Sequence, residues 1–399
     1  MEYLIRLFKP QVPFKYITSG FRSRRLTTAI TIGGIALVVW VYTAVLMMSY
    51  GVEKTLSSSG SERNAVIARK SSQGEISSII DGNSINVIKT LPQIAKNVSG
   101  RQIASAEVVV VINLSIINGS GMSNISVRGV DPAAFELRPY IKLVDGRTFN
   151  TGSREIVVGN AVTERFFGAK IGDKIKFAND EWTIVGVMDA KGSSFESEIW
   201  GDQTQLQAAF NRGNSASTMT VQMADGVTIE DFKQAFEADR RINMYEPKTE
   251  IKFYKEQSEA LATFIAALGT AITIIFSMGA IIGAVITMYT AVATRTVEIG
   301  TLRALGFRRR SVLASFLFET LFISAAGGIV GIALASLLQF FSISTINFNS
   351  FSELTFSFAI SQDIVINSMA FALIMGFLGG FFPSVRAARL NIVDSLRNA

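Results

Sequence analysis

The sequence predicts a membrane protein with four transmembrane helices and a large α+β domain inserted between the first and the second. Four long apolar runs, each with at most one charged side chain, approach or exceed the roughly 20 residues that span a bilayer. Most acidic residues lie in one stretch between the first two runs. Lys and Arg cluster beside the runs, in the pattern of cytoplasmic loops. Together these three observations predict the fold class.

Charge and composition exclude several classes of protein. Residues 51–259 hold 24 of the 38 Lys and Arg and 26 of the 32 Asp and Glu, so the basic excess belongs to the segments beside the membrane. Anionic lipids and the positive-inside rule explain this placement, which argues against nucleic-acid binding. The chain contains no Cys and no His. Disulfides, Cys or His zinc sites, Cys nucleophiles and Ser-His-Asp triads are therefore excluded.

The order of segments follows from the apolar runs. The first run is too long for the core of a signal peptide and is interpreted as a retained helix. The predicted segments are a cytoplasmic interfacial segment at 1–25, helix one at 26–50, an extracytoplasmic domain at 51–262, helix two at 263–289, a short cytoplasmic helix at 290–310, helix three at 311–340, a short outer loop at 341–363, helix four at 364–382 and a cytoplasmic tail at 383–399.

Basic residues predict the orientation. Six lie before helix one, five between helices two and three, three after helix four and none between helices three and four. Because basic loops stay in the cytoplasm, both termini are predicted to be cytoplasmic and the large domain to lie outside. Within residues 1–25, Pro10 and Pro13 interrupt a pattern of Leu, Phe and basic residues. This pattern fits either a helix lying on the inner leaflet or a tethered tail.

The outer domain alternates strand and helix signals, which predicts an α+β fold. Thr228 and Asp231 have capping-box spacing at the start of the last helix. An insertion of short strands is predicted at about 130–216, within an α/β part built from the flanking sequence. Strands are predicted at 108–114, 123–130, 155–158, 174–177 and 182–187, and helices at 84–90, 161–167, 203–211 and 228–240.

The approaches to the membrane allow two interpretations. Residues 51–56 and 251–262 can both extend helices out of the bilayer and form a paired stalk. The run Ser57-Ser-Ser-Gly60 instead favours a flexible linker on one side. The stalk is the preferred interpretation.

A polar island, residues 295–310, separates the second and third apolar runs. Its apolar residues recur at helical spacing and can pack inward, while its charged residues can face water or a partner. The inner face comprises Val297, Ile299, Leu302 and Leu305, and the outer face Arg295, Glu298, Arg303 and Arg308. Gly306 suits a helix end. From residue types alone, a short helix parallel to the membrane and a solvated basic loop are equally good interpretations.

The island resembles the coupling-helix signature of the FtsX-like, MacB-type ABC permeases. That signature is Arg-x-x-Glu-Ile-Gly-x-x-Arg/Lys-Ala-x-Gly, followed by a membrane helix that carries a Glu. The coupling residues that this resemblance assigns are Arg295, Glu298, Ile299, Gly300, Arg303, Ala304, Leu305 and Gly306, and Glu319 fills the later position. The end of the chain resembles the family's closing pattern, although Ile392 stands where the family usually has Pro.

The outer domain resembles the extracytoplasmic core domain of the same family, at residues 128–132, 146–149, 155–159 and 167–174. The resemblance implies a bacterial inner-membrane protein that forms a homodimer and binds a separate dimeric ABC ATPase through the coupling helix. A periplasmic adaptor or lipoprotein and membrane lipid are further partners that it suggests. ATP and Mg²⁺ would be bound by the ATPase, and this chain would bind no cofactor.

We expect no catalytic and no metal-binding residues in this chain. The stretch from Gly168 to Lys174 lacks the spacing of a P-loop and is predicted to be a turn into a strand. The acidic pairs Asp180-Glu181 and Glu196 with Glu198 are interpreted as solvated surface, since nothing in the sequence positions them for acid-base catalysis.

Small residues recur four apart in the predicted membrane helices, which allows close helix approach. Any single pair is expected to pack within the chain, and at least one to serve the dimer. The pairs are Gly279 and Gly283, Gly327 and Gly331, and Gly376 and Gly380. Glu319 is expected near the inner interface, where a basic partner compensates its charge in a coupling or structural role.

The expected function is that of a permease subunit that couples ATP hydrolysis in a partner to movement of the outer domain. It would export or extract an amphiphilic substrate such as a lipoprotein, lipid, peptide or antibiotic. The alternative is a mechanotransmitting regulator that activates an envelope enzyme such as a cell-wall hydrolase. The large outer domain favours the transporter.

Overall fold

The computed structural model describes residues 25–117 and 121–392. The described chain forms two compact units. The membrane unit contains the described residues up to Met48, residues 265–340 and those from Phe358 onward; the outer unit contains residues 49–264 and 341–357. The predicted interfacial segment, residues 1–25, lies outside the described residues except for Arg25.

The helices and strands alternate along the chain before the last three long helices. In chain order they are α1 (Arg25–Ser57), β1 (Asn64–Arg69), α2 (Gly82–Ile88), β2 (Ala104–Ser115), β3 (Met122–Val130), α3 (Ala133–Leu137), β4 (Lys142–Gly146), β5 (Glu155–Gly159), α4 (Asn160–Arg165), β6 (Lys174–Phe177), β7 (Asp180–Asp189), β8 (Glu198–Asp202), α5 (Gln203–Ala209), β9 (Thr218–Gln222), α6 (Ile229–Ala238), β10 (Tyr245–Thr249), α7 (Glu250–Ala293), α8 (Thr296–Ala304), α9 (Arg309–Ser336), β11 (Ser342–Ile346), β12 (Glu353–Ser357) and α10 (Gln362–Arg389).

Four helices of the described chain, α1, α7, α9 and α10, are long and apolar enough to cross a membrane. Each contains the corresponding predicted span, with the end of the third formed by a 3₁₀ turn at Leu337–Phe340. α10 continues through Pro383 to Arg389. The four-helix prediction is therefore confirmed, and every helix is longer than its predicted span when the 3₁₀ turn is counted with α9.

The extensions of α1 and α7 lie in the outer unit and contact each other. The Lys255 ammonium and the Glu53 carboxylate are 3.1 Å apart. The Ser49 hydroxyl donates to the carbonyl of Ala262 at 3.1 Å. Both segments are helical, as the stalk interpretation requires, and α1 ends at Ser57, where the Ser-rich run begins.

One ten-stranded sheet organises the outer unit, in the order β10-β1-β9-β2-β3-β8-β5-β7-β4, with β6 paired to β7. The β3–β8 and β5–β7 pairs are parallel and the others antiparallel. The long strand β2 pairs with β9 through residues 104–107 and with β3 through residues 108–115. It therefore connects the two ends of the sheet.

Two apolar cores form against this sheet. One is built on residues between Val108 and Leu206 and includes Trp182. The other is built on residues before Ala106 and after Ala216 and includes Phe232 and Phe236. The predicted insertion at about 130–216 contributes to the first core together with β2 and β3; its independence as a subdomain stays a prediction.

The sequence analysis missed seven strands. β10 carries a proline and three charged or polar residues, which weaken a strand signal, but it lies at the sheet edge, where proline is tolerated. The segment 341–363, predicted as a plain loop, contains the β11–β12 hairpin, which belongs to the outer unit. Polar bonds hold it there: the Asn124 amide donates to the Phe351 carbonyl at 2.7 Å. Leu354 and Phe356 of β12 are also buried, and their alternation with polar residues is a strand signal that the sequence analysis missed.

Candidate coupling site and buried ion pairs

The helix α8 forms the predicted polar island and is separated from both neighbouring helices by short turns. α7 ends at Ala293 and α9 begins at Arg309. Gly306 follows the last turn of α8 with φ +95°, a conformation that glycine adopts without steric cost. The prediction that Gly306 ends the helix is confirmed.

The inner face of α8 is held by an apolar cluster of the membrane unit. Ile299 is 1% exposed, and it packs with Val292 of α7 and Phe316 of α9. Gly300 is also buried. These contacts fix the rotation of α8 about its axis, so the opposite face is presented to solvent.

The outer face of α8 is more apolar than the sequence analysis predicted. Val297 and Leu305 were expected to pack inward, but they are 38% and 71% exposed. The prediction was wrong because Ile299 and Gly300 suffice to seat so short a helix, which turns the residues on either side outward. Glu298 and Ala304 are exposed on the same helix. The outer face therefore combines apolar and acidic side chains.

Arg303 and Leu302 lie at intermediate depth on α8. The Nε atom of Arg303 is buried and has no hydrogen-bond partner among the described residues. Burying an unpaired donor costs free energy.

The prediction that Arg295 faces water or a partner was wrong. Arg295 is 8% exposed, and its guanidinium donates to the Glu319 carboxylate of α9 at 3.2 Å. Each of the two side chains is about a tenth exposed. Arg295 thus supplies the basic partner expected for Glu319, and the ion pair ties the start of α8 to α9.

The three glycine pairs have different surroundings. A Cβ at Gly327 or Gly331 would collide with α1, since the one at Gly331 would lie 2.6 Å from the carbonyl oxygen of Ala36. Cβ atoms at Gly376 and Gly380 would collide with the Ser324 and Thr320 side chains of α9. Gly279 and Gly283 have open space around the Cβ position. Two pairs therefore pack within the chain, and the third lies on an open face of α7.

The outer unit contains a buried network of charged side chains that sequence analysis missed. Arg128 of β3 and Arg138 are both 0% exposed. Four carboxylates bond to these two arginines, and Glu107 of β2 accepts from both, at 2.8 Å and 2.6 Å. The other three carboxylates are Glu75 and Glu198 on Arg128, and Glu250 on Arg138.

Aromatic rings cover this network. The Phe195 ring centroid lies 5.2 Å from the Arg128 guanidinium carbon and 4.8 Å from that of Arg138. The Trp200 indole donates to Glu198 at 2.9 Å. Burial alone would raise the pKa of Glu107, but Arg138 and Arg128 hold that pKa below its ordinary value. The carboxylate therefore stays charged inside the domain.

The network changes the interpretation of one acidic pair. Glu198 was expected to be solvated, but it is 7% exposed and bonded twice to Arg128. In the sequence, Glu107 lies directly before a run of valines. This position could have indicated the buried network, because a charge beside buried apolar residues requires a partner. Asp180 and Glu181 do form surface ion pairs, with Arg154 and with Lys174 and Lys176.

The stretch from Gly168 to Lys174, predicted to be a turn into a strand, has that form. Gly168 and Gly172 both have positive φ, and β6 begins at Lys174. Within residues 25–117 and 121–392, the structure holds no cluster of three or more acidic side chains arranged for a metal ion.

Four apolar helices, a short helix with an exposed face between the second and third of them, and a β-rich outer unit define a membrane protein with a large domain outside its membrane-spanning helices. Residues 28–239 match the family described as MacB-like periplasmic core domain, and residues 263–392 match the FtsX-like permease C-terminal family. The chain belongs to the FtsX-like, MacB-type ABC permease family.

Curated relatives are larger proteins named macrolide export ATP-binding/permease protein MacB. The one from Bdellovibrio bacteriovorus is 24% identical over 96% of this chain and 61% of its own length. The one from Neisseria gonorrhoeae is 28% identical over 68% of this chain and 43% of its own length. The chain thus spans about half the length of these relatives.

Two solved structures each match about half of this chain. The periplasmic region of MacB from Actinobacillus actinomycetemcomitans matches 50% of this chain and 95% of its own, with TM-score 0.38 and 11% identity. The extracellular domain of the transporter YknZ from Gram-positive bacteria matches 47% of this chain and 100% of its own, with TM-score 0.34 and 18% identity.

Proposed function

We propose that this chain is the permease subunit of an ABC transporter and that a separate ATPase drives it through α8. The ATPase would bind ATP and Mg²⁺, and this chain would carry no catalytic residue. In this proposal the chain lies in a bacterial inner membrane with both termini and α8 in the cytoplasm. The cargo would be an amphiphile, such as a lipoprotein, lipid, peptide or antibiotic.

The observation that supports this proposal is the outer face of α8. A helix of nine residues is held in place by Ile299, while Val297 and Leu305 stay exposed. Exposed apolar side chains beside the acidic Glu298 form a surface that a complementary groove could bury. The side chains at the centre of such a contact contribute most of its free energy, so Leu305 and Glu298 are the residues to change.

Co-purification tests the proposal. The tagged full chain, extracted from its native membrane in mild detergent, should recover a protein with the ATP-binding motifs of an ABC ATPase. Leu305→Asp and Glu298→Arg should each reduce its recovery roughly tenfold or more, as for central interface residues. Reconstituted complexes of these variants should lose the ATPase activity that the wild-type chain stimulates.

Asp363→Arg is the matched control. It makes the same change of charge as Glu298→Arg on an exposed residue of the membrane unit, in the first turn of α10. It should retain the ATPase. Equal loss in all three variants would remove α8 from the coupling role, and recovery of no ATPase from the wild-type chain would overturn the proposal.

The same experiment separates the alternative function. An ATPase recovered with a cell-wall hydrolase, without any change in the location of an amphiphile, would favour a mechanotransmitting regulator. An ATPase recovered with a periplasmic adaptor or a lipoprotein would favour transport.

The two stalk helices support transmission of movement to the outer unit. α1 and α7 contribute residues to both units, and their extensions are joined by the Glu53–Lys255 ion pair. Glu250, the first residue of α7, belongs to the buried charge network. A displacement of α7 would therefore act directly on the β-sheet through Arg138.

A homodimer is part of the proposal. The open face of α7 at Gly279 and Gly283 carries the exposed apolar residues Phe276 and Ile286. Small residues on such a face permit close approach of a second helix. The chain has no Cys, so Gly283→Cys should cross-link two copies, and Ala372→Cys, which is buried within the chain, should not.

A further inference from the structure

A pocket of about 230 Å³ lies within the membrane unit, between α1, α7, α9 and α10. It is lined near the start of α1 by Thr31 and near the end of α7 by Thr290 and Thr294. Since a water molecule occupies about 30 Å³ of the liquid, the pocket has room for a small organic group. Neither the coupling surface nor the charge network uses it.

The polar lining of this pocket offers acceptors. Threonine carries one O–H donor and two acceptor lone pairs. The O–H groups of five lining threonines donate to backbone carbonyls of their own helices, so their oxygens turn only lone pairs outward. These are Thr31, Thr287, Thr290, Thr294 and Thr320.

A carboxylate adds negative charge to this lining. Glu319 lines the pocket, whereas its partner Arg295 is not among the residues that do. The ion pair therefore presents its negative end to the pocket. Acceptor oxygens beside a carboxylate favour a ligand that is positively charged and rich in N–H donors, which describes a protonated primary amine.

The rest of the lining is apolar. Ile35, Met288 and Ile323 contribute side chains that suit the hydrocarbon part of a ligand. Thr27 and Thr294 lie next to the basic residues that predict the cytoplasmic side of the membrane. A ligand from that leaflet would place its headgroup at this depth.

We propose that this pocket binds the protonated amine headgroup of an amphiphile from the cytoplasmic leaflet. The site rests on the cytoplasmic orientation in the proposed function, but it does not require the ATPase. Two kinds of amphiphile carry such a protonated amine headgroup: an ethanolamine phospholipid and a single-chain alkylamine.

Native mass spectrometry of the delipidated full chain, without ATPase, tests the proposal. The probes are phosphatidylethanolamine, phosphatidylcholine, phosphatidylglycerol and dodecylamine. Phosphatidylethanolamine should bind more tightly than phosphatidylcholine, whose quaternary ammonium has no N–H donor, and than phosphatidylglycerol. Competition by dodecylamine would identify the free amine as a sufficient ligand; binding of the phospholipid without such competition would assign the site to the lipid. Equal binding of all three phospholipids would overturn the proposal.

Nearly isosteric variants localise the binding. The double variant Thr287→Val, Thr290→Val removes two acceptors and should weaken amine binding about fivefold to tenfold. Thr273→Val is the matched control, because Thr273 makes the same bond to its own helix on α7 but does not line the pocket. Equal affinities of the two variants would overturn the proposal.

A pair of cysteine variants tests the competing occupant. Since the chain has no native Cys, a disulfide between Ile323→Cys, in the buried pocket wall of one copy, and Gly283→Cys of another copy would show that a second copy fills the pocket, and would overturn the proposal. None of these binding and cross-linking experiments contains the ATPase. A negative result in them therefore leaves the proposed coupling function intact. Loss of coupling in the α8 variants, in turn, leaves the lipid preference unchanged.

Discussion

Two buried ion-pair sites in the described part of the chain differ in the number of hydrogen bonds that join their charges. In the outer unit, Arg128 makes five hydrogen bonds to three carboxylates, and Phe195 covers it. In the membrane unit, Arg295 donates one bond of 3.2 Å to Glu319. Both sites lie at ends of α7: Glu250 begins the helix, and Arg295 follows its last residue by two positions.

The difference indicates a fixed anchor and a contact that can be broken. Charges in the outer network are withdrawn from water, so removing one partner leaves the others without compensation. Arg295 and Glu319 are joined by a single hydrogen bond of 3.2 Å, so this contact has fewer bonds to lose. If α7 transmits movement, its end at Glu250 should move with the sheet, while its end near Arg295 can change partners.

The largest expected loss of stability follows from replacing Arg128. Arg128→Met should lower the free energy of unfolding of the outer unit by about 3–5 kcal/mol, because it leaves Glu75, Glu107 and Glu198 without that cation. Urea unfolding followed by tryptophan fluorescence measures this. In a Trp40→Phe background, Trp182 and Trp200 report on the outer unit alone.

Arg147→Met is the control for Arg128. Arg147 pairs with Glu155 in the same unit, but its side chain is 53% exposed. Water screens an exposed pair, so the control should change stability little. Equal losses in the two variants would show that the buried network is no anchor.

A smaller effect is expected at the membrane pair. Arg295→Met and Glu319→Gln should each lower the stability of the membrane unit by about 1–3 kcal/mol, since each leaves a buried charge beside a neutral side chain in place of the opposite charge. The double variant should be less destabilised than the sum of the two. This non-additivity measures the coupling of the pair.

A single introduced thiol measures the membrane unit separately. Ala372 is 0% exposed, and the chain has no native Cys, so a dye should label Ala372→Cys only when the unit opens. The labelling midpoint on heating gives the stability of each variant. A loss at Arg295 as large as that at Arg128 would contradict the distinction between anchor and breakable contact.

Sequence analysis predicted the membrane helices because hydropathy is local and each helix satisfies its own backbone bonds. It predicted Thr228 and Asp231 as a capping box, and both reciprocal bonds are present. The network around Arg128 and Arg138 could not be predicted, since its six residues come from positions 75 to 250 and meet only through the sheet.

The same limit applies to the coupling helix. The spacing of the apolar residues predicted that Ile299 lies on an inner face, and Ile299 is buried. The outward position of Leu305 depends on how α8 sits against Val292 and Phe316, which are not sequence neighbours of it. The motif identified the segment, and tertiary packing decided which residues a partner could touch.

The smallest expected effect comes from an exposed charge of the outer unit. Asp81 caps α2, and its carboxylate accepts bonds from the Ser84 hydroxyl, the backbone N–H groups of Ser84 and Asn83, and the Tyr245 hydroxyl. These bonds, led by the Ser84 hydroxyl, lower the pKa of Asp81 from 3.8 to about 2. A charge on this cap interacts favourably with the helix dipole, by about 0.3–1 kcal/mol.

Because the pKa of Asp81 is lowered on folding, its stabilising contribution is present above 3.8 and is lost as the pH falls through about 2. Asp81→Asn keeps a capping side chain without the charge. The difference in unfolding free energy between wild type and Asp81→Asn should therefore stay constant from pH 7 to about 5 and shrink between about pH 4 and 2. Urea unfolding at each pH measures it. Ser84→Ala removes the largest contributor and should move the loss to higher pH; an unchanged profile would assign the pH dependence to another group.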